Sequence, residues 1–396
     1  MKGPFLKSEF LLRVERFQHL LAQDGVDGAV IVQKADLYYL IGSDQEGLLW
    51  VPADGEPLFL VRKSYERALQ DVLVGRVIAF TKPSQAPEEI MGQERKTLSR
   101  IGLEMDVLPV KLYFSYRELF PGAEMVDISS LIRSVRMVKS DREISLVRKA
   151  AETADELFRK VPEFLKESGT ETELALRAEA FYRSRGHPGI SPMRAFNVHN
   201  VYGHIMAGAS AALPSASPGP TGGPGAGPLL SHGAGRGEIK PHEPVLFDYS
   251  SNVQGYISDQ SRIYALGDLP VKFHEAHRAM IEVQQAVAKE GKSGARAGDL
   301  YELALDVVRS QGLSTGFMGY PQPVPFVGHG LGLELDEWPV IGKNSHHLLE
   351  AGMVIALEPK LVFPGEGVVG VENTFLVTDH GMEKLNRFPD DIVIIP

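Results

Sequence analysis

A chain of 396 residues is too long for one ordinary hydrophobic core, so two domains are expected. Its 43% hydrophobic and 23% charged content is that of a soluble globular protein. The net charge of −10 argues against nucleic acid or an anionic membrane surface as partner, and the lack of cysteine excludes disulfides and thiolate metal sites.

Residues 9–24 carry an amphipathic helical pattern stopped by Gly25, and GAVIVQ at 28–33 reads as a strand. Charged residues interrupt the apolar stretch of MKGPFLKSEFLLRVERF, unlike a secretory leader, and no run of eighteen apolar residues exists. A cytoplasmic setting is the simplest expectation. Apolar runs at 48–51, 58–61 and 77–80 alternate with charged helical stretches. They predict a small α/β domain that shapes a site or an oligomer interface and carries no chemistry of its own.

The segment MVKSDREISLVRKAAETADELFRKV opens a second domain. Ile144, Val147, Ala151, Ala154, Phe158 and Val161 alternate at spacings of three and four, which predicts one buried helix face. Ser140 or Asp141 can cap its start with Glu143 in the first turn; Pro162 is expected to disturb its end, and Gly169 to stop it. Thr170 with Glu173 forms a capping box for a second helix reaching about Gly186. Helical runs from about His274 to Gly294 and from about Gly298 to Gly312 repeat this layout, so two similar halves are expected to face a shared site. Between the halves, residues 208–237 are so rich in Gly and Pro that regular structure is excluded. They read as a flexible linker or as an ordered lid.

Asp248, Asp259, His329, Glu358 and Glu372 stand out because each interrupts a short apolar run: VLFDYSSNVQGYISDQSR, VPFVGHGLGLELDEWP, VIALEPK and VVGVENTFLVT. A charge in such a place is costly unless paired or bound to a cation. Four carboxylates and one neutral imidazole suit two divalent ions, drawn from Mn²⁺, Co²⁺, Zn²⁺ or Fe²⁺. SSNVQGY reads as a turn that brings Asp248 and Asp259 to one end of a hairpin, and the glycines beside His329 as room for metal and substrate. Such a centre suits hydrolysis of a C–N bond, with one of the Glu residues carrying a proton to the leaving nitrogen.

The order Asp, Asp, His, Glu, Glu in these contexts resembles the creatinase, aminopeptidase P, prolidase and methionine aminopeptidase family. ADLYYLIGS and VKSDREISLVRKA extend the likeness to nearly the whole chain. The resemblance implies an α+β architecture. A pita-bread catalytic domain with two pseudo-symmetric halves would occupy 139–396, after a creatinase-like α/β domain over 1–138. It further implies that Asp259 and Glu372 bridge two ions, Asp248 completing one and His329 with Glu358 the other, in a homodimer acting on a small peptide or amide.

The substrate side departs from that family. Asp336 stands where it has His, AALP is followed by Ser215 rather than His, and Gly370 replaces an Arg that holds a substrate carboxylate, with Lys360 following the Glu-Pro pair. His199 and His204 are candidates for a missing imidazole, and Asp336 for an acceptor of a substrate amine or amide. The leading expectation is an Xaa-Pro exopeptidase whose catalytic residues are Glu358, His204 and Asp336. A hydrolase of a small non-peptide amide or amidine is the alternative, and a non-catalytic binding module of the same fold a third reading.

Overall fold

The computed structural model describes residues 5–94, 97–198 and 200–396, so His199 lies outside the described residues. The chain forms two compact units: Met1–Arg136 with Ala195–Asn197, and Met137–Arg194 with Val198–Pro396. Among the described residues, no helix is long and apolar enough to cross a membrane.

In the first unit, α1 (Lys7–Gln23) buries Phe10, Val14, Phe17 and Leu21, one stripe at helical spacing. Then follow β1 (Gly28–Ile31), α2 (Lys34–Ile41), β2 (Gly47–Pro52), β3 (Leu58–Val61), α3 (Tyr65–Asp71) and β4 (Arg76–Ala79). The unit ends with α4 (Ala86–Glu94), β5 (Arg100–Leu103), α5 (Val110–Leu119), β6 (Glu124–Asp127) and α6 (Ser129–Met137). Its strands form one mixed sheet in the order β4-β3-β2-β1-β5-β6. Val30, Trp50, Leu60, Ile101 and Leu103 pack one core on it. The predicted apolar runs are thus all strands.

The second unit opens with α7 (Asp141–Lys166), capped by Ser140, one of the two residues the sequence offered, and the cap is a reciprocal box with Glu143. Glu143 N–H donates to the Ser140 hydroxyl at 3.3 Å and Ser140 N–H to the Glu143 carboxylate at 2.9 Å. Its buried stripe includes Val147, Ala151, Ala154, Phe158 and Val161, whereas Ile144 is only half-buried. Pro162 does not end the helix. Proline removes the donor to the carbonyl four residues back, and here that carbonyl, of Phe158, accepts from the Tyr264 hydroxyl at 2.8 Å. In α8 (Glu171–Ser184), Thr170 accepts from Glu173 N–H, while the Glu173 carboxylate reaches Gly169 rather than Thr170.

Four strands follow β7 (Gly203–Ala207): β8 (Val245–Tyr249), β9 (Ser251–Val253), β10 (Tyr256–Ser258) and β11 (Ser261–Leu266). The second half holds α9 (Val271–Glu290), α10 (Ala297–Ser310), β12 (Phe326–Gly330), β13 (Glu337–Gly342) and β14 (Val354–Leu357). It closes with β15 (Lys360–Phe363), β16 (Gly367–Gly370), β17 (Asn373–Thr378), β18 (Gly381–Lys384) and β19 (Val393–Ile395). One sheet runs β19-β11-β8-β7 and the other β13-β12-β14-β17-β18, with β9–β10 and β15–β16 as two ribbons.

Strand periodicity then fixes which side chains meet. On β8, Val245, Phe247 and Tyr249 pack with Leu157 and Phe158 of α7, so Leu246 and Asp248 take the opposite face. On β14, Ile355 and Leu357 join the core with α9 and α10. Ala356 and, one step beyond the strand, Glu358 therefore face the other way.

Residues 208–237 are not a free linker. The buried Glu171 carboxylate accepts from Ala207 N–H at 2.9 Å, Gly235 N–H at 2.8 Å and the Ser210 hydroxyl. One side chain at the start of α8 thus clamps both ends of the segment, where the helix dipole favours a carboxylate.

Candidate metal centre

Asp248 and Asp259 come together through a nested hairpin. β8 pairs with β11, placing Asp248 opposite Ser261, and the β9–β10 ribbon caps the pair. Gln254 and Gly255 form its turn with φ of 54° and 95°, the sign a tight hairpin turn needs at both central positions. The two halves meet beside these residues. Ser261 and Glu372 exchange both backbone hydrogen bonds at 3.3 Å, which puts Glu372 against the Asp259–Ser261 segment. Glu358 is set by its own N–H donating to Val327 O at 2.9 Å, beside the strand that carries His329.

Ligand atoms of Asp259, His329 and Glu372 lie within 4.8 Å of one another, and His329 Nε2 is 3.6 Å from Glu358 Oε1. His329 Nδ1 lies 3.1 Å from Gly330 O. A proton on Nδ1 satisfies that carbonyl and leaves Nε2 as the lone-pair atom facing the carboxylates, the tautomer metal ligation requires.

The ammonium of Lys360 stands among these carboxylates. Its Nζ is 2.7 Å from Glu358 Oε2, 2.9 Å from Glu372 Oε2 and 3.2 Å from Asp248 Oδ2, and the side chain is fully buried. Burial alone would lower its pKa, but Asp248, Glu358 and Glu372 outweigh burial and hold it well above the ordinary lysine value. One positive charge does not satisfy the cluster. Burial and then Asp248 push Asp259 up to about 7, and burial with Asp259 pushes Glu372 well above the carboxylate range. Carboxylates that resist ionising together, facing an imidazole lone pair, fit a divalent cation.

Residues 145–379 match metallopeptidase family M24, and residues 13–138 match the creatinase/prolidase N-terminal domain. The chain belongs to family M24. An Xaa-Pro dipeptidase of Pyrococcus furiosus is 26% identical over 378 residues, covering 95% of this chain and 97% of that protein. One from Lactobacillus delbrueckii subsp. lactis is 26% identical over 396 residues, covering 97% and 99%. The dipeptidase PepE structure from Mycobacterium ulcerans superposes with a TM-score of 0.83 at 24% identity over the whole of both chains. The second unit therefore has the pita-bread architecture expected from the sequence, preceded by a creatinase-type domain.

The structure brings together all five residues singled out in the sequence, and it revises several details. The glycines beside His329 do not make room for metal or substrate. A Cβ at Gly328 would lie 2.4 Å from Ala356 O, and one at Gly330 2.2 Å from Trp338 O, so the neighbouring strands need both positions. Lys360 points into the carboxylates and so cannot stand in for an arginine that holds a substrate carboxylate. Asp336 lies in the turn before β13, where Oδ1 accepts from Arg194 N–H at 2.7 Å. Its carboxylate holds the chain at Arg194.

His204 sits opposite Asp248 in the β7–β8 register, so the two side chains share a face. Burial lowers its pKa, and Nδ1 is buried without a hydrogen-bond partner. The imidazole of His232 lies edge-on to it, ring centroids 5.4 Å apart. Sequence reasoning missed His232, because it lies in the Gly/Pro segment rather than after AALP; the only signal was an imidazole between Ser231 and Gly233.

Proposed function

We propose that this chain is a metal-dependent exopeptidase that hydrolyses the peptide bond before proline. The observation that carries the reading is the convergence of Asp248, Asp259, Glu358 and Glu372 with the lone-pair face of His329, in a chain of family M24. These residues would form a divalent-metal centre. Bound there, the metal would polarise a peptide carbonyl and acidify a water molecule. Manganese suits this oxygen-rich set with one imidazole, although the ligands accept Co²⁺, Zn²⁺ or Fe²⁺ as well. A homodimer in the cytoplasm belongs to the same reading.

The chain's own residues have separable tasks. Glu358 carries the proton from the attacking water to the leaving nitrogen, since its two oxygens face different partners: Oε1 faces His329 and Oε2 faces Lys360. His204 and His232, both kept toward the neutral form by burial, offer N–H donors to the oxygen on which charge develops. Asp336 acts through the backbone of Arg194 as a positioning residue.

A second reading is favoured by one observation: Gly370 has no side chain, and Lys360 is buried away from any substrate carboxylate. Substrates without that carboxylate, such as longer peptides or small amides, then fit better than free dipeptides. Metal-loaded protein assayed on Xaa-Pro dipeptides, longer Xaa-Pro peptides and small amides separates the two. Chelator-sensitive release of the residue before proline supports the exopeptidase reading. Turnover of the small amides alone would replace it with the second.

A further inference from the structure

We propose that Lys360 is a resident cation in the place of one of two metal ions, so that the chain binds a single divalent ion beside a fixed ammonium. The inference rests on the metal-dependent reading of the same site and sets its stoichiometry.

The carboxylate oxygens divide between two partners. Asp248 Oδ2, Glu358 Oε2 and Glu372 Oε2 converge on Lys360 Nζ at 3.2, 2.7 and 2.9 Å. The ammonium therefore bonds Asp248, the residue expected to complete one ion, together with Glu372, one of the two expected bridges. The other position is intact: ligand atoms of Asp259, His329 and Glu372 cluster within 4.8 Å, with Glu358 Oε1 3.6 Å from the imidazole. The ammonium donates to Glu358 and Glu372 and forms an ion pair with Asp248, so it engages groups that a second ion would need.

Charge count alone does not choose between the two cases, since one ion with the ammonium falls one charge short of balancing four carboxylates and two ions exceed it by one. A second divalent ion would, however, stand against a cation that shares its ligands.

The backbone is built around this lysine. Lys360 and Gly370 pair across β15 and β16, and a Cβ at Gly370 would lie 2.8 Å from the Lys360 Cγ. The absence of a side chain at 370 lets the stem lie flat on the neighbouring strand while its head reaches the carboxylates. Met318 N–H donates to Lys360 O at 2.9 Å, which fixes the residue from the other side.

The test is metal content with a spectroscopic readout. Full-length protein is loaded with excess Mn²⁺, desalted, and measured for metal per chain and by electron paramagnetic resonance. Wild type should hold one ion with the spectrum of an isolated Mn²⁺. Lys360→Met, which keeps the stem and removes the charge, should hold two with an exchange-coupled spectrum. Should that variant fail to fold, Asp248→Asn decides: it should retain the single ion, since Asp248 serves the ammonium, whereas Asp259→Asn should lose it. Two coupled ions in wild type, or an empty Asp248→Asn, overturns the inference and leaves the metal-dependent reading standing. No bound metal in wild type overturns both.

Discussion

Thr374 grips the backbone of Asp259 from both sides: its hydroxyl accepts from Asp259 N–H at 2.9 Å and donates to Asp259 C=O at 2.9 Å. A residue of the second half thus fixes a carboxylate of the first. Thr374→Val keeps the shape and leaves two buried backbone groups without partners, each at a cost of about 1–3 kcal/mol. Metal affinity should fall about ten- to a hundred-fold, the usual effect of losing support behind a ligand. Thermal denaturation and metal titration check both, and unchanged affinity would show that Asp259 needs no such support.

Asp259→Asn and Glu372→Gln should each abolish metal binding and activity while the chain stays folded. Each replaces a carboxylate of the Asp259, His329 and Glu372 cluster, whose ligand atoms all lie within 4.8 Å of one another. Elemental analysis of the purified variants is the check, and normal metal content in either removes that residue from the centre.

Stability should respond to pH in two opposite senses. His187 and His277 are both pushed down to about 4 by burial. The unfolded chain takes up their protons below about pH 6.5 and the folded chain does not, so stability present above about 6.5 is lost toward pH 4. The slope is about 1.4 kcal/mol per histidine per pH unit. In metal-free protein Asp259 works the other way. Its folded pKa of about 7 exceeds the unfolded value of about 3.9, so stability present at low pH is lost as pH rises toward 7. Metal must displace that proton, so its affinity should rise through the same window. Melting curves with chelator and with metal, from about pH 4 to 8, test the signs. A metal-free Asp259→Asn variant whose melting temperature relative to wild type does not rise between about pH 5 and 7 contradicts the Asp259 part.

Glu171→Gln should loosen residues 208–237 without unfolding the chain. The amide offers one acceptor where Ala207, Gly235 and Ser210 all donate, so at least one backbone N–H loses its partner. Faster proteolytic cleavage between 208 and 237, and a lower kcat through the displacement of His232, are the expected results. Equal cleavage rates would mean that other contacts hold the segment.

Asp336→His should not improve the turnover of Xaa-Pro dipeptides. Its carboxylate is engaged by Arg194 N–H, and the variant loses that bond at a cost of about 1–3 kcal/mol. Asp336→Asn keeps an acceptor and should be close to wild type. A gain in dipeptide turnover for the histidine variant would show that position 336 meets substrate directly.

The candidate ligands were legible because a carboxylate in an apolar strand has few structural explanations. Lys360 obeys the same rule, standing between Pro359 and Leu361 in VIALEPKLVF, yet a sequence cannot show which way its stem turns. The fate of Pro162 depended on a tyrosine more than a hundred residues away, and that of Gly328 on the carbonyl of Ala356. Both are tertiary facts, invisible to local propensity. His232 escaped because chain composition predicts irregular backbone over 208–237 but not its path.

The pairing of Lys360 with Gly370 also restricts how this chain can change. A first carbon at 370 would lie 2.5 Å from Pro359 O and 2.7 Å from the Lys360 Cα, both parts of the main chain. No single substitution there is accommodated by a rotamer change elsewhere. An arginine at this position is thus out of reach in one mutational step, and even a smaller residue at 360 would leave the way blocked. Descent toward a guanidinium-lined specificity pocket would have to begin by spreading two strands, whatever residue stands at 360.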